Sequence, residues 1–186
     1  MKLSEDQRTA ARVDTSAFVT ACPGAGKTRV VAAKIQREVG AALKTGRNVA
    51  CITYTNAARD EIHKRTRAAV PHRYMKSIRI STLHGFLLES VLQPWGHLLP
   101  DFPKGVRLAA PGSPLHDEAV ARAAQYFSTT TEDIKRQTSL YWRGPDGALN
   151  GSNPAKIERV LAELANDGAV DFEGVIYYSY QLLREA

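Results

Sequence analysis

No stretch of this 186-residue sequence is apolar for long enough to cross a membrane, and the opening Met1-Lys2-Leu3-Ser4-Glu5-Asp6 lacks the apolar core of a secretion signal. Cysteine is scarce. The two present, Cys22 and Cys51, have no metal-ligand spacing, and their small number points to a reduced cytoplasmic setting. Internal repeats and low-complexity tracts are missing. With 44% hydrophobic and 24% charged residues, the composition excludes a globally disordered chain and supplies enough apolar surface for a sizeable core. Acidic residues are few in the first half. Residues 1–100 carry 16 Lys/Arg against 7 Asp/Glu, a balance of +9, whereas residues 101–186 carry −3. A basic half of this kind suits a polyanionic partner, although a solvated basic surface gives the same count.

What the sequence does contain is a phosphate-loop signature. Apolar Ala17-Phe18-Val19 leads into Ala21-Cys22-Pro23-Gly24-Ala25-Gly26-Lys27-Thr28, and a helical pattern follows from Arg29. Strand, glycine turn and helix is the required order. Gly24 and Gly26 let the backbone curl its N–H groups toward phosphate oxygens, and the helix start adds partial positive charge. Lys27 supplies a point charge for the outer phosphates, and Thr28 a hydroxyl for Mg²⁺. The first position is Ala21 where the motif has glycine. Cys22 lies in the loop, and the simplest reading of it is a small loop residue without a redox role.

The order of elements is that of a parallel α/β sheet. Ser4-Glu5-Asp6-Gln7 reads as a capping box opening a helix to about Val13. Strands are expected at 16–20, 48–53 and 77–81, with helices from Lys27 to about Leu43, from an N-cap at Asn56 to Ala69, and from His84 to Gln93. Pro94, Pro100, Pro103 and Pro111 mark an irregular connection. Beyond it the pattern is helical: from Ser113-Pro114 to about Phe127, from Ser128 or Thr131 to about Tyr141, from Asn153-Pro154 to Asn166, and from Asp171 onward.

Three further places hold candidate chemistry. Gln7 either completes the capping box or reads an adenine edge with its amide. Thr53-Tyr54-Thr55-Asn56 leaves a strand and enters a helix, where Tyr54 could stack on a base and the hydroxyls and Asn56 could hold a phosphate; an ordinary N-cap explains Asn56 equally well. Thr82 and His84 follow the third strand at the same end of the sheet, where ligands of such sheets bind. The densest basic segment, residues 59–79, holds seven Lys/Arg and two acids.

Taken as an ordered set, these stretches resemble UvrD-like superfamily 1 DNA helicases. Leu3 to Arg8 is similar to the family's Q motif, residues 21–29 to motif I, Thr53-Tyr54-Thr55-Asn56 with Glu61 to motif Ia, Thr82-Leu83-His84-Gly85 to its T-F-H-S element, and Asp171-Phe172 to the segment before motif II. The resemblance implies an α/β P-loop NTPase (RecA-like) parallel sheet flanked by helices, its first part at residues 1–95. It implies a small, mostly helical insertion subdomain with a return helix at residues 96–186. It further implies ATP and Mg²⁺ as cofactors, single-stranded DNA as partner and 3′–5′ polarity. Gln7 and Arg29 would hold the adenine or nucleotide, and Cys22, Pro23, Gly24, Ala25, Gly26, Lys27 and Thr28 would cradle the phosphates. Lys27 and Thr28 would be catalytic, with Thr28 on the metal. Tyr54, Thr55, Asn56, Thr82 and His84 would line the DNA path. The sequence departs from motif Ia at Ala57 and Arg59, where the family more often has Lys and Ala.

One element of the family pattern is missing. Phosphoryl transfer needs a strand-end acid for Mg²⁺ and a carboxylate for the attacking water. The Asp-Glu pairs here, Asp60-Glu61 and Asp117-Glu118, follow no apolar strand, and Ala186 precedes the place where the resemblance puts that motif. The expectation is an ATP-dependent DNA helicase portion that binds nucleotide without efficient hydrolysis. The alternative is a non-hydrolysing ATP- and DNA-binding module with a nuclease or other protein partner in a defence complex. A small P-loop kinase fits less well, because no acceptor-binding region is recognisable.

Overall fold

A computed structural model describes residues 3–184 of the chain. They form two compact units, divided between Leu83 and His84. The fold is mixed α/β, with three two-stranded sheets among the described residues. None of the described helices is long and apolar enough to cross a membrane.

The first unit contains α1 (Glu5–Arg12), α2 (Lys27–Lys44), β1 (Val49–Thr53), α3 (Asn56–Ala69) and β2 (Ile78–Thr82). β1 and β2 pair in parallel from Val49↔Ile78 to Thr53↔Thr82, with α3 as the connection between them. Ala32, Ile35 and Val39 recur at helical spacing and form the buried stripe of α2, while α3 buries Ile62 and Thr66. A 3₁₀ turn over His72–Ser77 feeds β2.

The expected strand at 16–20 does not form. Those residues carry no regular structure and join no sheet, and Phe18 and Val19 are 93% and 56% exposed. An apolar run can be extended on its own, but it becomes a strand only when a neighbour takes its N–H and C=O groups. Here β1 pairs with β2, and the 16–20 segment pairs with neither. The parallel sheet of the described residues therefore has two strands in this unit where three were expected. The start of α3 also differs: Thr55, not Asn56, is the N-cap, and its Oγ1 accepts from the Ala58 N–H at 3.2 Å.

The second unit opens with α4 (Leu83–Leu87, its first residue in the first unit), a π-helical stretch over Leu88–Leu92 and a short α5 (Gln93–Trp95). It continues through β3 (Arg107–Leu108), α6 (Pro114–Tyr126), α7 (Thr131–Thr138), β4 (Tyr141–Arg143), β5 (Leu149–Gly151), α8 (Pro154–Asn166), β6 (Ala169–Val170) and α9 (Phe172–Arg184). Its main core packs α6 against α8. Ala119, Val120 and Ala123 face Val160 and Leu164, with Ile134 of α7 closing the cluster. Small alanines let the two helices approach closely, so the buried volume is filled by valine and leucine. Leu92, Val170 and Val175 form a second cluster. Glu163 is buried but neutralised, accepting from Arg122 Nε at 2.7 Å and from Arg159.

This unit is not purely helical. The helix expected to reach Tyr141 stops at Thr138, and Tyr141–Arg143 pairs antiparallel with Leu149–Gly151. The turn between them is Gly144-Pro145-Asp146-Gly147, a composition that favours a turn, with Gly147 at φ 87° and Asp146 accepting from the Ala148 N–H. Aromatic Tyr141 and Trp142 suit a strand, and their alternation sends Tyr141 inward to donate its hydroxyl to Asp171. β3 and β6 add a further parallel pair.

Asp171 caps α9 through the Gly174 N–H at 2.8 Å, and burial, reinforced by nearby Glu173, pushes its carboxyl up to about 6 against the pull of that N–H. A carboxyl that binds its proton more tightly when folded stabilises the fold fully below its unfolded value of about 4. It loses that contribution as pH rises through 6. Asp171→Asn keeps the cap acceptor and removes the titration. Urea unfolding should show a flatter stability profile between pH 4 and 6 than in the parent chain, with a gain at pH 7 on the order of 2 kcal/mol. Parallel profiles for the two proteins would refute it.

Candidate functional site

The glycine loop occupies residues 21–28 ahead of α2. The Ala25 N–H donates to the Cys22 carbonyl at 3.2 Å, with Pro23 and Gly24 at the centre of the turn and Gly24 at φ 80°. That is the composition and φ of a type II turn. Gly26 follows at φ 82° and is the N-cap of α2. Both glycines therefore hold left-handed conformations that a residue with a Cβ adopts at a cost.

The start of α2 stands apart from the other long helices. Among the described residues, every other helix of eight or more residues has a side-chain cap: Ser4 on α1, Thr55 on α3, Ser113 on α6, Thr130 on α7, Asn153 on α8 and Asp171 on α9. The 18-residue α2 has none, and its first turn carries no acid. Its leading amides and the positive end of its dipole therefore have no capping side chain or first-turn acid, the condition under which a helix start can take an anion. Lys27, the first residue of that turn, donates from Nζ to the carbonyls of Ala21 at 3.1 Å and Cys22 at 3.0 Å. Thr28 is half-buried, while Cys22, Pro23, Ala25 and Arg29 are exposed.

Gln7 is brought to this loop. Its Nε2 donates to the Ala25 carbonyl at 2.9 Å, and its Oε1 accepts from the Ser4 N–H at 3.1 Å, completing the capping box. The far end of α1 is tied to α2: Lys34 donates to the Val13 carbonyl, and Arg37 pairs with Asp14. Sequence inspection missed Lys34 and Arg37, whose three-residue spacing on one helix face was the available signal. Gln7 and Lys27 border an open cleft of about 860 Å³, whose far wall is β1. Burial pushes the Cys51 thiol up, which disfavours its thiolate on that wall.

The carboxyl end of the β1–β2 pair gathers a second group. Register sets Thr53 beside Thr82, so the Thr53-Tyr54-Thr55-Asn56 loop and the end of β2 lie together. Tyr54 is 88% exposed and Asn56 is exposed on the first turn of α3, whereas the Thr55 hydroxyl is engaged as the cap. His84 lies in the second unit, its ring edge-on to Phe172 at 4.8 Å. In the basic segment, Arg59 pairs with Asp60 and Arg65 with Glu61, while Lys64, Arg67 and Lys76 are exposed.

The two loop glycines differ in what a side chain would meet. A Cβ on Gly26 would sit 2.6 Å from Gln7 Nε2, whereas one on Gly24 meets nothing within 4 Å. Both substitutions cost about 1–3 kcal/mol of backbone strain, and only Gly26→Ala also displaces Gln7. In urea unfolding Gly26→Ala should be the more destabilising of the two; equal losses would count against the contact.

No curated protein matches the chain. A family model described as UvrD/REP helicase N-terminal domain matches residues 3–138. That span takes in the capping box, the glycine loop, both loops at the carboxyl end of β1–β2 and the second unit as far as α7. With well over half its length matched, the chain belongs to the UvrD/REP helicase N-terminal domain family, a family of ATP-dependent helicases.

Proposed function

We propose that the chain is the ATP-binding N-terminal portion of a 3′–5′ DNA helicase or translocase of RecA-like fold, and that alone it holds nucleotide without efficient hydrolysis. The uncapped start of α2 behind two left-handed glycines carries this reading. In it, residues 1–95 are the ATP-binding part and 96–186 the helical insertion with its return helix. Cys22 to Arg29 surround the phosphates, Lys27 neutralises their outer charge, and Gln7 closes the site from α1.

The residues present fit a triphosphate, offering turned backbone, free helix-start amides and an ammonium. Magnesium bound with the nucleotide would supply charge neutralisation on the phosphate oxygens, and Thr28 is the side chain placed to hold it. The carboxylates needed for water attack are another matter. Asp60 and Glu61 lie within α3 and bond to Arg59 and Arg65. Asp117 and Glu118 lie within α6, with Asp117 held by Lys135. Neither pair ends a strand, and no cluster of three metal-ligating side chains occurs among the described residues. Without such groups the electrostatic stabilisation of phosphoryl transfer is incomplete.

DNA is the second ligand. Tyr54 offers a stacking face, Asn56 and Thr82 offer polar contacts, and Thr55 contributes through its cap geometry. His84 belongs to the same proposal by motif position. The acids held inside helices also favour a second reading, a non-hydrolysing ATP- and DNA-binding module that works beside a nuclease or another protein.

Fluorescent ATP titrated with and without Mg²⁺ should bind the parent chain saturably, and Lys27→Ala should weaken binding about tenfold or more, roughly 1.4 kcal/mol. Equal binding by Lys27→Ala, or none by the parent at millimolar nucleotide, would overturn the reading. Tyr54→Ala should cost about 1–3 kcal/mol in affinity for a single-stranded oligonucleotide measured by anisotropy; an unchanged affinity would remove Tyr54 from the DNA surface.

A further inference from the structure

We propose that the β4–β5 hairpin is a strap across α9, fastened by the Tyr141–Asp171 bond and released when Asp171 gives up its proton to solvent. The device lies wholly within the second unit and is independent of the glycine loop. Alternation along β4 turns Tyr141 and Arg143 toward α9 and leaves Leu140 and Trp142 exposed. Four contacts then hold the hairpin along the helix. The Tyr141 hydroxyl meets the Asp171 carboxyl just ahead of α9. The Arg143 guanidinium lies over the Tyr177 ring, 4.6 Å from its centroid. Gly147 sits against the Tyr177 hydroxyl, where a Cβ would come within 3.1 Å of that oxygen. Gln181 Nε2 donates to the Pro145 carbonyl at 2.8 Å. From Asp171 to Gln181 the strap covers about 15 Å of helix. A two-stranded hairpin is marginal by itself in water, so this one depends on α9 for its own pairing.

Of the four contacts, only the one at Asp171 changes with a proton at mildly acid pH. Two small cavities flank it, of about 30 and 20 Å³, both lined by Tyr141, Asp171, Leu161 and Leu164. Each has room for a water. Arg143, Glu173 and Tyr178 line the first, and His116 of α6 with Thr138 of α7 the second, while α8 and β6 bring only apolar side chains to both. Arg143 is engaged with the tyrosine ring, Glu173 opposes a second negative charge, and burial holds His116 toward its neutral form. The direct partners of the carboxyl are the Gly174 N–H on Oδ1 and the Tyr141 hydroxyl on Oδ2. In the neutral acid the proton therefore sits on Oδ2, and the phenol oxygen can accept it. Once the proton has left, a charge lies between two largely apolar walls, and lifting the strap brings water to it. Burial, reinforced by Glu173, accordingly raises this carboxyl to about 6. The closed strap is favoured in full below the ordinary carboxylate value of about 4 and loses that support as pH rises through 6. Release uncovers the Tyr177 and Tyr178 rings beneath Arg143.

Amide hydrogen exchange, corrected for its own pH dependence, is measured at about pH 4.5 and pH 7, without urea and in low urea, for the parent chain, Asp171→Asn and Tyr141→Phe. In the parent, protection of residues 141–151 and of the first turns of α9 should fall by about ten- to a hundredfold from the lower pH to the higher, as a carboxyl of about 4 in the open form and about 6 in the closed form dictates. At pH 7 those amides should exchange faster than α6 and with little dependence on urea, the mark of a local opening. Asp171→Asn keeps an acceptor for the Gly174 N–H and offers Tyr141 a donor, so its strap should stay equally protected at both pH values. Tyr141→Phe keeps the ring and loses the bond; its hairpin should be poorly protected at both, while α6 and α8 keep their protection. Hairpin amides that exchange only together with α6, at the same urea dependence, would overturn the proposal, and so would a parent-like pH response in Asp171→Asn. If Tyr141→Phe does not fold, the comparison of the parent with Asp171→Asn decides by itself.

Discussion

An α-helix leaves its leading amides without partners inside the helix, and a folded chain has to provide for them. This chain does so with a side chain at the start of each described long helix except α2. The exception is the longest helix and follows the most glycine-dependent loop of the first unit. A serine or aspartate at position 26, in the extended backbone of an ordinary cap, would have stabilised the isolated helix by roughly a few tenths of a kcal/mol over glycine. Gly26 forgoes that gain and leaves the helix start open. The first unit is arranged around this: α1 is fastened along α2, and Lys27 stands in the first turn, the one charge directed back at the loop's own carbonyls.

The folding of Lys27 onto Ala21 and Cys22 follows from the same constraint. An ammonium beside an open helix start meets an unfavourable dipole, and two carbonyls at 3.0–3.1 Å offset that. Under the proposed function, a phosphate entering the loop would replace both bonds with a charge-assisted interaction, which is stronger than either neutral acceptor offers.

Much of this was legible in the sequence, and what was not has a common physical origin. Caps and turns are local, so Ser4 with Gln7, Asn153 with Pro154, and the Gly144-Pro145-Asp146-Gly147 turn could be read from a few residues. Strand pairing is not local. Residues 16–20 have the apolar character of a strand, but nothing in them says whether a neighbour will take their hydrogen bonds, and Phe18 is left almost fully exposed. Tyr141 reads as the end of a helix until the turn after Arg143 brings Leu149–Gly151 alongside. Thr55 and Asn56 are both good caps, and the choice fell one residue earlier than expected because Thr55 has the extended backbone that a cap requires. The candidate site divides the same way. The loop and its lysine are contiguous and readable. The contact of Gln7 with Ala25 spans 18 residues, and a local reading offered two separate uses for that amide where the structure combines the cap with a bond to the loop.

Phosphate binding and phosphate transfer make different demands, and under the proposed function the chain meets them unequally. Binding needs positive potential and turned backbone, which a single loop and one helix start supply. Transfer also needs carboxylates held apart from cations, so that their charge is free to act on metal and water. The acid pairs here are in the opposite condition. Asp60, Glu61 and Asp117 are each drawn to an arginine or lysine, and Lys135 holds the Asp117 carboxyl below the usual carboxylate range. A carboxylate whose charge is already answered on a helix surface stabilises its own neighbourhood and is a poor base for a distant water. The electrostatics of these residues thus answer their charge locally, which under the proposed function leaves the loop without a carboxylate partner among them.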